Sequence, residues 1–374
     1  MRRIAFIINS LEGGGAERVF CRVIQGLESR LAAWRTHVVL LDTAEEVYAL
    51  PDFVETHRLD ARGGMTASVV GLSRRLRCIK PDVAVSFLGR ANCANVATAA
   101  LQGHKAIISE RTATKQHLGS GARGVALGAA TAALYPRAAR IIAVSHGVKR
   151  GLCDDFGVPA DKVEVIYNPV DPDALRAQAA ADEFAAPLPE TFIASVGRLT
   201  ANKNFPLLID AFARAAIPYD LVILGEGAER AALEAQARRL GVGGRVHFLG
   251  FVHNPFAVLK RAAFFASASN AEGFPNALVE ALSLGLPAIF TNCQAGPAEV
   301  LAGDPNLRID TLHAARFGLL CPVGDVASLA EGLRFLAVEE NRQIYAQRAA
   351  QRARAFAPAE IYARYWDAIA GVAA

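Results

Sequence analysis

Short, continuously apolar runs alternate with amphipathic segments along almost the whole chain. In the first half these runs are RIAFIIN (3–9), THVVLL (36–41), DVAVSF (82–87), KAIIS (105–109), RIIAVS (140–145) and VEVIYN (163–168). The second half repeats the rhythm with TFIASVG (191–197), YDLVILG (219–225), GRVHFLG (244–250), AAFFASAS (262–269) and LPAIFTN (286–292). Apolar strands that alternate with helices are typical of parallel sheets covered by helices on both faces. The pattern therefore predicts an α/β protein with doubly wound sheets.

The length of the chain indicates more than one hydrophobic core. It has 374 residues, whereas single cores stop growing at roughly 250–300 residues. Residues 168–190 are rich in proline, alanine and acidic side chains, and they contain no strand pattern. We therefore predict a first Rossmann-like domain over residues 1–175 and a second over 188–358, which face each other across a cleft. Ligands of such sheets bind outside the carboxyl ends of the strands.

Composition narrows the class of protein. Hydrophobic residues make up 52% of the chain and charged residues 20%, which is typical of a soluble globular protein with a large core. No apolar run reaches the roughly 18 residues that span a bilayer, and the N-terminal apolar stretch is short enough to be a first strand rather than a signal peptide. The six cysteines have no paired or metal-ligand spacing. Reduced thiols in a cytoplasmic protein are the expectation.

Positive charge is concentrated in the first half. Residues 1–180 hold 23 Lys and Arg against 17 Asp and Glu, whereas residues 181–374 hold 17 against 19. A basic half suggests an anionic partner, either a phosphorylated acceptor or a membrane surface, although a generally basic surface explains the balance equally well. Nucleic acid is set aside because basic and aromatic residues are not interleaved. The basic clusters that could meet anionic lipid are Arg74, Arg75, Arg77 and Lys80, and Lys115, Arg123, Arg137 and Arg140.

A glycine-rich loop follows the first predicted strand. In NSLEGGGAERV (9–19), Gly14 and Gly15 precede a helix that is predicted to begin near Ala16. Glycine lets the backbone approach a ligand closely, and a helix N-terminus presents free N–H groups. A phosphate or a sugar hydroxyl would suit this loop, and a tight structural turn is the alternative.

Two cations follow the first strand of the second domain. In SVGRLTANKNF (195–205), Gly197 permits a turn, and Arg198 and Lys203 lie five positions apart. Cations at the carboxyl end of a strand are suited to a diphosphate. The alternative is a pair of solvated surface charges. The later glycines Gly225 and Gly227 form a G-x-G too short to indicate a function.

Two carboxylates stand eight positions apart in EGFPNALVEALSLGLP (272–287). Glu272 is predicted in a loop, and Glu280 on the inward face of the helix that follows, where an unpaired charge is costly. A sugar nucleotide would satisfy both carboxylates. Glu280 would bind its ribose hydroxyls and Glu272 would bind its sugar, while backbone amides and cations would bind the pyrophosphate. A buried carboxylate paired with a distant arginine is the alternative. The residues expected to line the site between the two carboxylates are Gly273, Phe274, Pro275 and Asn276.

These motifs together resemble the retaining glycosyltransferases of family 4, which have the GT-B fold. Glu272 and Glu280 match the E-x7-E element of that family, and Arg198 and Lys203 match its phosphate-binding pair. Further similarities are the GGGAERV loop, AVSHGV (143–148), VIYNPVD (165–171) and AGPAEVL (295–301). The resemblance covers nearly the whole chain. It implies a C-terminal helix, at about 359–374, that crosses back to the first domain.

The resemblance also implies an activity. A sugar would move from a nucleotide-sugar donor, most simply a UDP-hexose or UDP-N-acetylhexosamine, to a glycan or lipid-linked acceptor bound by the first domain. Glu272, Arg198 and Lys203 are the expected catalytic residues. No metal or cofactor is expected, because the cations replace a metal and the DPD at 171–173 is in the linker. A cytoplasmic enzyme, peripheral on the inner membrane face, would fit such acceptors.

The acceptor side departs from the family pattern. Many relatives carry a histidine in the loop that here reads SERTATKQH (109–117), so Arg111 and His117 are the candidates. Two other functions remain open. A non-catalytic protein that binds nucleotide sugars or glycans would keep the diphosphate site, and a sugar-nucleotide epimerase would share the two-domain cleft.

Overall fold

The computed structural model describes residues 1–113, 115, 121–181, 184 and 186–373, without the side chains of 122 and 123. Within these residues the chain divides into two compact units, Met1–Pro169 with Pro358–Ala374, and Val170–Ala357. The predicted His117 lies outside the described residues. Among the residues described, no helix combines the length and apolar character needed to span a bilayer.

The first unit is built around a parallel sheet. Over its described residues the strand order is β3-β2-β1-β4-β5-β6-β7, with every pair parallel. The strands are β1 Arg2–Ile8, β2 Trp34–Leu40, β3 Glu55–Arg58, β4 Val83–Phe87, β5 Lys105–Glu110, β6 Arg140–Ala143 and β7 Val163–Val165. Residues 4–8 of β1 and 83–87 of β4 are completely buried, as expected for central strands covered on both faces.

Helices cover this sheet, and local sequence determines where they begin and end. They are α1 Gly15–Gly26, α2 Glu28–Leu31, α3 Met65–Ile79, α4 Gly89–Gln102, α5 Ala122–Leu134 and α6 His146–Phe156. In α1, Val19, Phe20, Val23 and Ile24 form a buried stripe at helical spacing. Helix α6 begins at AVSHGV because the Ser145 hydroxyl accepts a hydrogen bond from the Val148 N–H.

The second unit repeats the architecture. Its described strands follow the order β10-β9-β8-β11-β12-β14-β13, and only the pair β13–β14 is antiparallel. The strands are β8 Phe192–Val196, β9 Asp220–Leu224, β10 Val246–Gly250, β11 Phe264–Ser267, β12 Ala288–Thr291, β13 His313–Ala314 and β14 Leu319–Cys321. The helices are α7 Pro172–Ala181, α8 Phe205–Ala215, α9 Arg230–Arg239, α10 Pro255–Leu259, α11 Asn276–Ser283, α12 Pro297–Leu301, α13 Val326–Ala337 and α14 Glu339–Ala353.

The predicted fold class, two Rossmann-like α/β sheets, is confirmed, and the differences have simple causes. The sequence pattern missed β3 because its residues, ETHR, are all polar, and it missed β13 and β14 because they have two and three residues. Helix α7 lies in the segment predicted to be a linker. The chain passes from the first unit to the second after Pro169, near the start of that segment.

The C-terminal helix α15, Pro358–Ala373, belongs to the first unit. Its buried residues Ile361, Tyr365, Ala368 and Ile369 follow helical spacing. Trp366 packs edge-on against Trp34 of β2, with ring centroids 6.1 Å apart. These are the two tryptophans of the chain, so tryptophan fluorescence reports on the first unit.

Each sheet has a topological switch point, where the order of the strands reverses. Strands that are earlier in the sequence extend to one side of this point, and later strands extend to the other side. In the first sheet it lies between β1 and β4, and in the second between β8 and β11. Crevices at the carboxyl ends of strands at such points are the usual ligand sites of open α/β sheets. The loops after β1, β4, β8 and β11 are therefore the places to look for a site.

The packing of α15 predicts a destabilised variant. Ile369→Ala removes a completely buried side chain and should lower the free energy of unfolding of the first unit by about 3 kcal/mol, since a cavity is left. Urea unfolding followed by tryptophan fluorescence measures the change. The matched control is Asp367→Ala at an exposed position of the same helix, which should change stability by less than about 0.5 kcal/mol. Equal stability of the two variants would contradict the packing role.

Candidate functional site

An ion pair joins the two loops at the switch point of the second sheet. Lys203 follows β8, Glu272 follows β11, and the Lys203 Nζ lies 2.6 Å from the Glu272 Oε1. The side chain of Lys203 is 27% exposed and that of Glu272 is 10% exposed. The sequence predicted both as site residues but placed them on different parts of a ligand. The structure brings them into direct contact.

Asparagine hydrogen bonds hold the two loops together around this ion pair. Asn202 Nδ2 donates to the Ala271 carbonyl at 2.9 Å, and the Asn270 N–H donates to the Asn202 carbonyl at 2.8 Å. Asn270 Nδ2 donates to the Ala201 carbonyl at 3.1 Å, and Asn204 Nδ2 donates to Asn270 Oδ1 at 2.9 Å. Sequence reasoning missed these asparagines. The clusters TANKN and SN were the signal, since asparagine side chains pair readily with loop backbone.

Two glycines of the loop after β9 allow the loop after β8 to lie against it. A Cβ at Gly225, whose φ is +145°, would come within 1.9 Å of the Gly197 carbonyl oxygen, and a Cβ at Gly227 within 2.3 Å of the Leu199 carbonyl oxygen. The Gly197 N–H donates to the Leu224 carbonyl, and the Leu199 N–H to the Glu226 carbonyl. The G-x-G that looked uninformative in the sequence thus supports the loop that carries Lys203.

The other predicted residues of the second unit surround these loops. Arg198 is exposed, and within the described residues its guanidinium has no hydrogen bond or ion pair. Glu280 lies in α11 and is 4% exposed. Gly273 and Phe274 are buried, and Pro275 is the residue that directly precedes α11. The Asn276 N–H, one of the amides predicted to face a ligand, donates to the Phe274 carbonyl at 3.0 Å.

A second layer of contacts fixes the segment between the two glutamates. Gly296, with φ +95°, lies so close to Pro275 that a Cβ would be 2.4 Å from its Cδ. Phe274 packs edge-on against Phe356, with centroids 5.6 Å apart. Arg352 lies 4.8 Å over the Phe356 ring and donates to two carbonyl oxygens of α12. The AGPAEVL motif therefore supports the E-x7-E segment.

Cys293 is buried beside the ion pair. Burial raises the pKa of its thiol well above the ordinary value, and the negative charge of Glu272 raises it further, while Lys203 acts in the opposite direction. The group therefore remains a neutral thiol at physiological pH, and it packs as a small apolar side chain.

In the first unit, Gly14 and Gly15 lie at the start of α1, as predicted. Gly14 caps the helix with an extended backbone, and its N–H donates to the Glu12 carbonyl at 2.7 Å. A Cβ at Gly14 would lie 2.0 Å from Glu17 Oε2, so a carboxylate covers this helix N-terminus. A carboxylate accepts hydrogen bonds from hydroxyls and repels phosphate. Of the two ligands considered for this loop, a sugar hydroxyl fits better.

Arg111, predicted on the acceptor side, is buried within the first unit. Its guanidinium donates to Tyr365 Oη of α15 at 2.9 Å and to Asn168 Oδ1, and it lies 5.3 Å over the ring of Phe87. The neighbouring carboxylate of Glu110 accepts a hydrogen bond from the Tyr135 hydroxyl at 2.6 Å. Residues of the S-E-R sequence thus connect β5 to the core and to the C-terminal helix.

The pKa of the Tyr135 hydroxyl is raised well above its ordinary value. Burial is the main cause, and the Glu110 carboxylate adds to it. The phenol therefore stays protonated and continues to donate to that carboxylate at any physiological pH.

Comparison with known proteins identifies the family. The profile described as Glycosyltransferase Family 4 matches residues 13–174, and the one described as Glycosyl transferases group 1 matches residues 178–356. A Campylobacter jejuni protein, N-acetylgalactosamine-N,N'-diacetylbacillosaminyl-diphospho-undecaprenol 4-alpha-N-acetylgalactosaminyltransferase, is 30% identical over 370 residues, which cover 95% of this chain and 96% of the relative. The chain belongs to the family 4 glycosyltransferases. The resemblance drawn from the motifs is therefore confirmed.

Other glycosyltransferases agree with this assignment. The Escherichia coli lipopolysaccharide 1,6-galactosyltransferase is 31% identical over 176 residues, 44% of this chain and 46% of that protein. The crystal structure of Anabaena HepE in complex with UDP matches with a TM-score of 0.78 at 20% identity, over 99% of this chain and 100% of that one. A likeness at this identity establishes the fold, which is GT-B.

The glycine contacts predict a variant that loses the loop geometry. Gly225→Ala should destabilise the second unit by at least about 2 kcal/mol, because the added Cβ would overlap the Gly197 backbone and φ is unfavourable for alanine. Thermal unfolding followed by circular dichroism measures this. Gly244→Ala is the control, since nothing lies within 4 Å of its Cβ position. If the two variants unfold at the same temperature, the proposed support of the Lys203 loop is wrong.

Proposed function

We propose that this glycosyltransferase moves a hexose or N-acetylhexosamine from a UDP-sugar to a hydroxyl of a lipid-linked glycan, with retention of anomeric configuration. The names of two Campylobacter jejuni relatives support the acceptor class. Both are named for N-acetylgalactosaminyl transfer to saccharides on a diphospho-undecaprenol carrier, and they match 95% and 100% of this chain. Solved structures of HepE with UDP and with UDP-glucose support the donor class.

The Lys203–Glu272 contact at the second switch point is the observation that carries the proposal. A cation and a carboxylate fixed side by side, 2.6 Å apart, match the two chemically different parts of a nucleotide sugar. Lys203 would bind the diphosphate together with the exposed Arg198, and Glu272 would bind sugar hydroxyls. A diphosphate carries more negative charge than one carboxylate, so it competes effectively for Lys203. The buried Glu280 would bind the ribose hydroxyls.

The chemical step needs no group beyond the two substrates and these side chains. The bond between the anomeric carbon and the diphosphate oxygen breaks, and the acceptor oxygen bonds to that carbon on the same face. The acceptor proton passes to the departing diphosphate oxygen. Charge develops on the leaving diphosphate, where Lys203 and Arg198 would stabilise it by several kcal/mol.

The first unit would bind the acceptor. At its own switch point, the carboxylate of Glu17, in the first turn of α1 beside Gly14, would accept hydrogen bonds from hydroxyls of the acceptor. Arg74 and Arg77 are exposed on α3, and contact with anionic lipid through that helix would suit a lipid-linked acceptor. By contrast, Lys115 and Arg140 of the second basic cluster pair with Asp155 and Glu164.

Substitution of the donor-site residues should abolish transfer. Lys203→Ala and Glu280→Ala should each lower kcat/KM by at least about a hundredfold, the loss expected when one electrostatic or buried polar contact to a charged substrate is removed. The measurement is release of UDP from UDP-hexoses and UDP-N-acetylhexosamines in the presence of a polyprenyl-diphosphate-linked glycan. Circular dichroism establishes that each variant is folded.

The control is Arg239→Ala, which removes an exposed cation on α9 of the same unit and should leave kcat/KM unchanged. Full activity of both site variants would contradict the proposal. Binding of UDP without turnover against any acceptor would favour a non-catalytic protein instead.

Transfer should not depend on a divalent metal ion. The two cations of the β8 loop, Arg198 and Lys203, are proposed to neutralise the diphosphate in place of a metal. Addition of EDTA in excess over all divalent ions should therefore change kcat by less than about twofold, as measured by UDP release. Loss of activity with EDTA that magnesium restores would show that the diphosphate site is wrongly assigned.

A further inference from the structure

Two histidines and a glutamate come together at the edge of the first sheet. His37 lies in β2, and Glu55 and His57 lie in the edge strand β3. The strands are parallel, with His37 opposite Glu55 and Val39 opposite His57. Residues two apart on a strand share a face, so Glu55 and His57 project from β3 towards the same side as His37. The donor-site residues of the second unit have no part in this cluster.

The distances within the cluster match those of a metal site. His37 Nδ1 lies 3.1 Å from His57 Nε2, and these nitrogens lie 3.5 and 3.6 Å from the nearest Glu55 oxygens. In a tetrahedral Zn²⁺ site with bonds of about 2.0–2.1 Å, neighbouring ligand atoms are about 3.3–3.4 Å apart. The spacing of the three side chains is close to that of such a site, although the oxygen near His37 Nδ1 is Oε2 and the one near His57 Nε2 is Oε1. A rotation of the Glu55 carboxylate would bring one oxygen near both nitrogens. Over the described residues, no other group of three His, Cys, Asp or Glu side chains brings ligand atoms this close.

The chemistry of the three side chains suits a transition metal. Two imidazole nitrogens and one carboxylate form a ligand set that Zn²⁺ commonly takes in proteins. The two facing nitrogens can share only one hydrogen between them, whereas a metal ion would use a lone pair from each. The side chains of His37 and His57 are 4% and 11% exposed, whereas the side chain of Glu55 is 48% exposed. The cluster is thus open to solvent on the Glu55 side, where an ion could enter and keep a water ligand.

Neighbouring groups determine how tightly an ion would be held. Arg35 donates to Glu55 Oε2 at 2.9 Å, which orients the carboxylate and leaves Oε1 towards His57. Outer-shell hydrogen bonds of this kind are usual for ligating carboxylates. The positive charges of Arg35, Arg3 and Arg75 lie near the histidines. They repel a metal cation and therefore weaken its binding. A neutral His37 that binds a metal through Nδ1 carries its hydrogen on Nε2. That nitrogen is buried and has no hydrogen-bond partner among the described residues, so this arrangement weakens metal binding.

We propose that His37, Glu55 and His57 form a binding site for one divalent transition-metal ion, best suited to Zn²⁺, with water as the fourth ligand. A bound ion would join β3 to β2 and stabilise an edge strand that otherwise pairs on one side only. The proposal does not depend on the proposed transfer reaction, which uses other residues.

Isothermal titration of the chelator-treated, dialysed full chain with ZnCl₂ tests the site. One Zn²⁺ should bind per chain, and Co²⁺ should give the visible absorption of a four-coordinate ion. His57→Gln and Glu55→Gln should each weaken Zn²⁺ binding by at least about tenfold. The matched control is Glu45→Gln, which removes an exposed carboxylate from the segment between β2 and β3 and should leave binding unchanged.

Absence of Zn²⁺ binding to the unsubstituted chain at Zn²⁺ concentrations up to about 100 micromolar, which would detect any Kd of about 10 micromolar or tighter, would overturn the proposal. Binding that survives both substitutions would do the same, because the ion would then lie elsewhere. Glu55→Gln changes a half-exposed side chain, so it tests the site even if His57→Gln fails to fold. Transfer of sugar should be unchanged in Glu55→Gln, which separates this proposal from the proposed function.

Discussion

The ion pair between Lys203 and Glu272 is the interaction on which the candidate site depends. It joins loops that follow neighbouring strands at a switch point, where a ligand can reach the carboxyl ends of both. Because each charge has the other as its partner, their mutual attraction offsets part of the cost of keeping both partly out of water. Asn202 and Asn270 bond the surrounding backbones together. The loops that carry the two charges are thereby held in place by backbone contacts that do not involve the ion pair itself.

Close backbone packing makes this arrangement possible. The glycines Gly225 and Gly227 let one loop lie directly on another, and Gly296 does the same for the segment between the two glutamates. A Cβ at any of these positions would lie within 2.4 Å of an atom of the neighbouring segment, so the segments would have to move apart. The positions of the site residues in the second unit thus depend on glycines, which carry no functional group themselves. The first unit uses buried polar bonds instead, such as those between Arg111 and Tyr365.

Much of the fold could be predicted from the sequence, because strands buried on both faces leave continuous apolar runs. Strand β3 could not, since its side chains are polar and it lies at an edge. Lys203 and Glu272 could be selected as candidates because both follow predicted strands, where ligands of such sheets bind. Their contact could not be predicted, since 69 residues separate them. Arg111 shows the same limit. Its partner Tyr365 lies 254 positions away, and nothing near Arg111 in the sequence distinguishes a buried arginine from one that faces an acceptor.

The return of α15 to the first unit makes the second unit an insertion in the chain of the first. The ribosome therefore finishes every residue of the second unit before it makes the helix that completes the first. Chains generally fold domain by domain as they emerge, so the later-encoded sheet can reach its final form while the earlier one still lacks a covering helix. The unit whose synthesis starts first thus receives its last helix only after the other unit has been made. An N-terminal fragment ending at Pro169 would leave Phe87 without the Tyr365 ring that stacks on it.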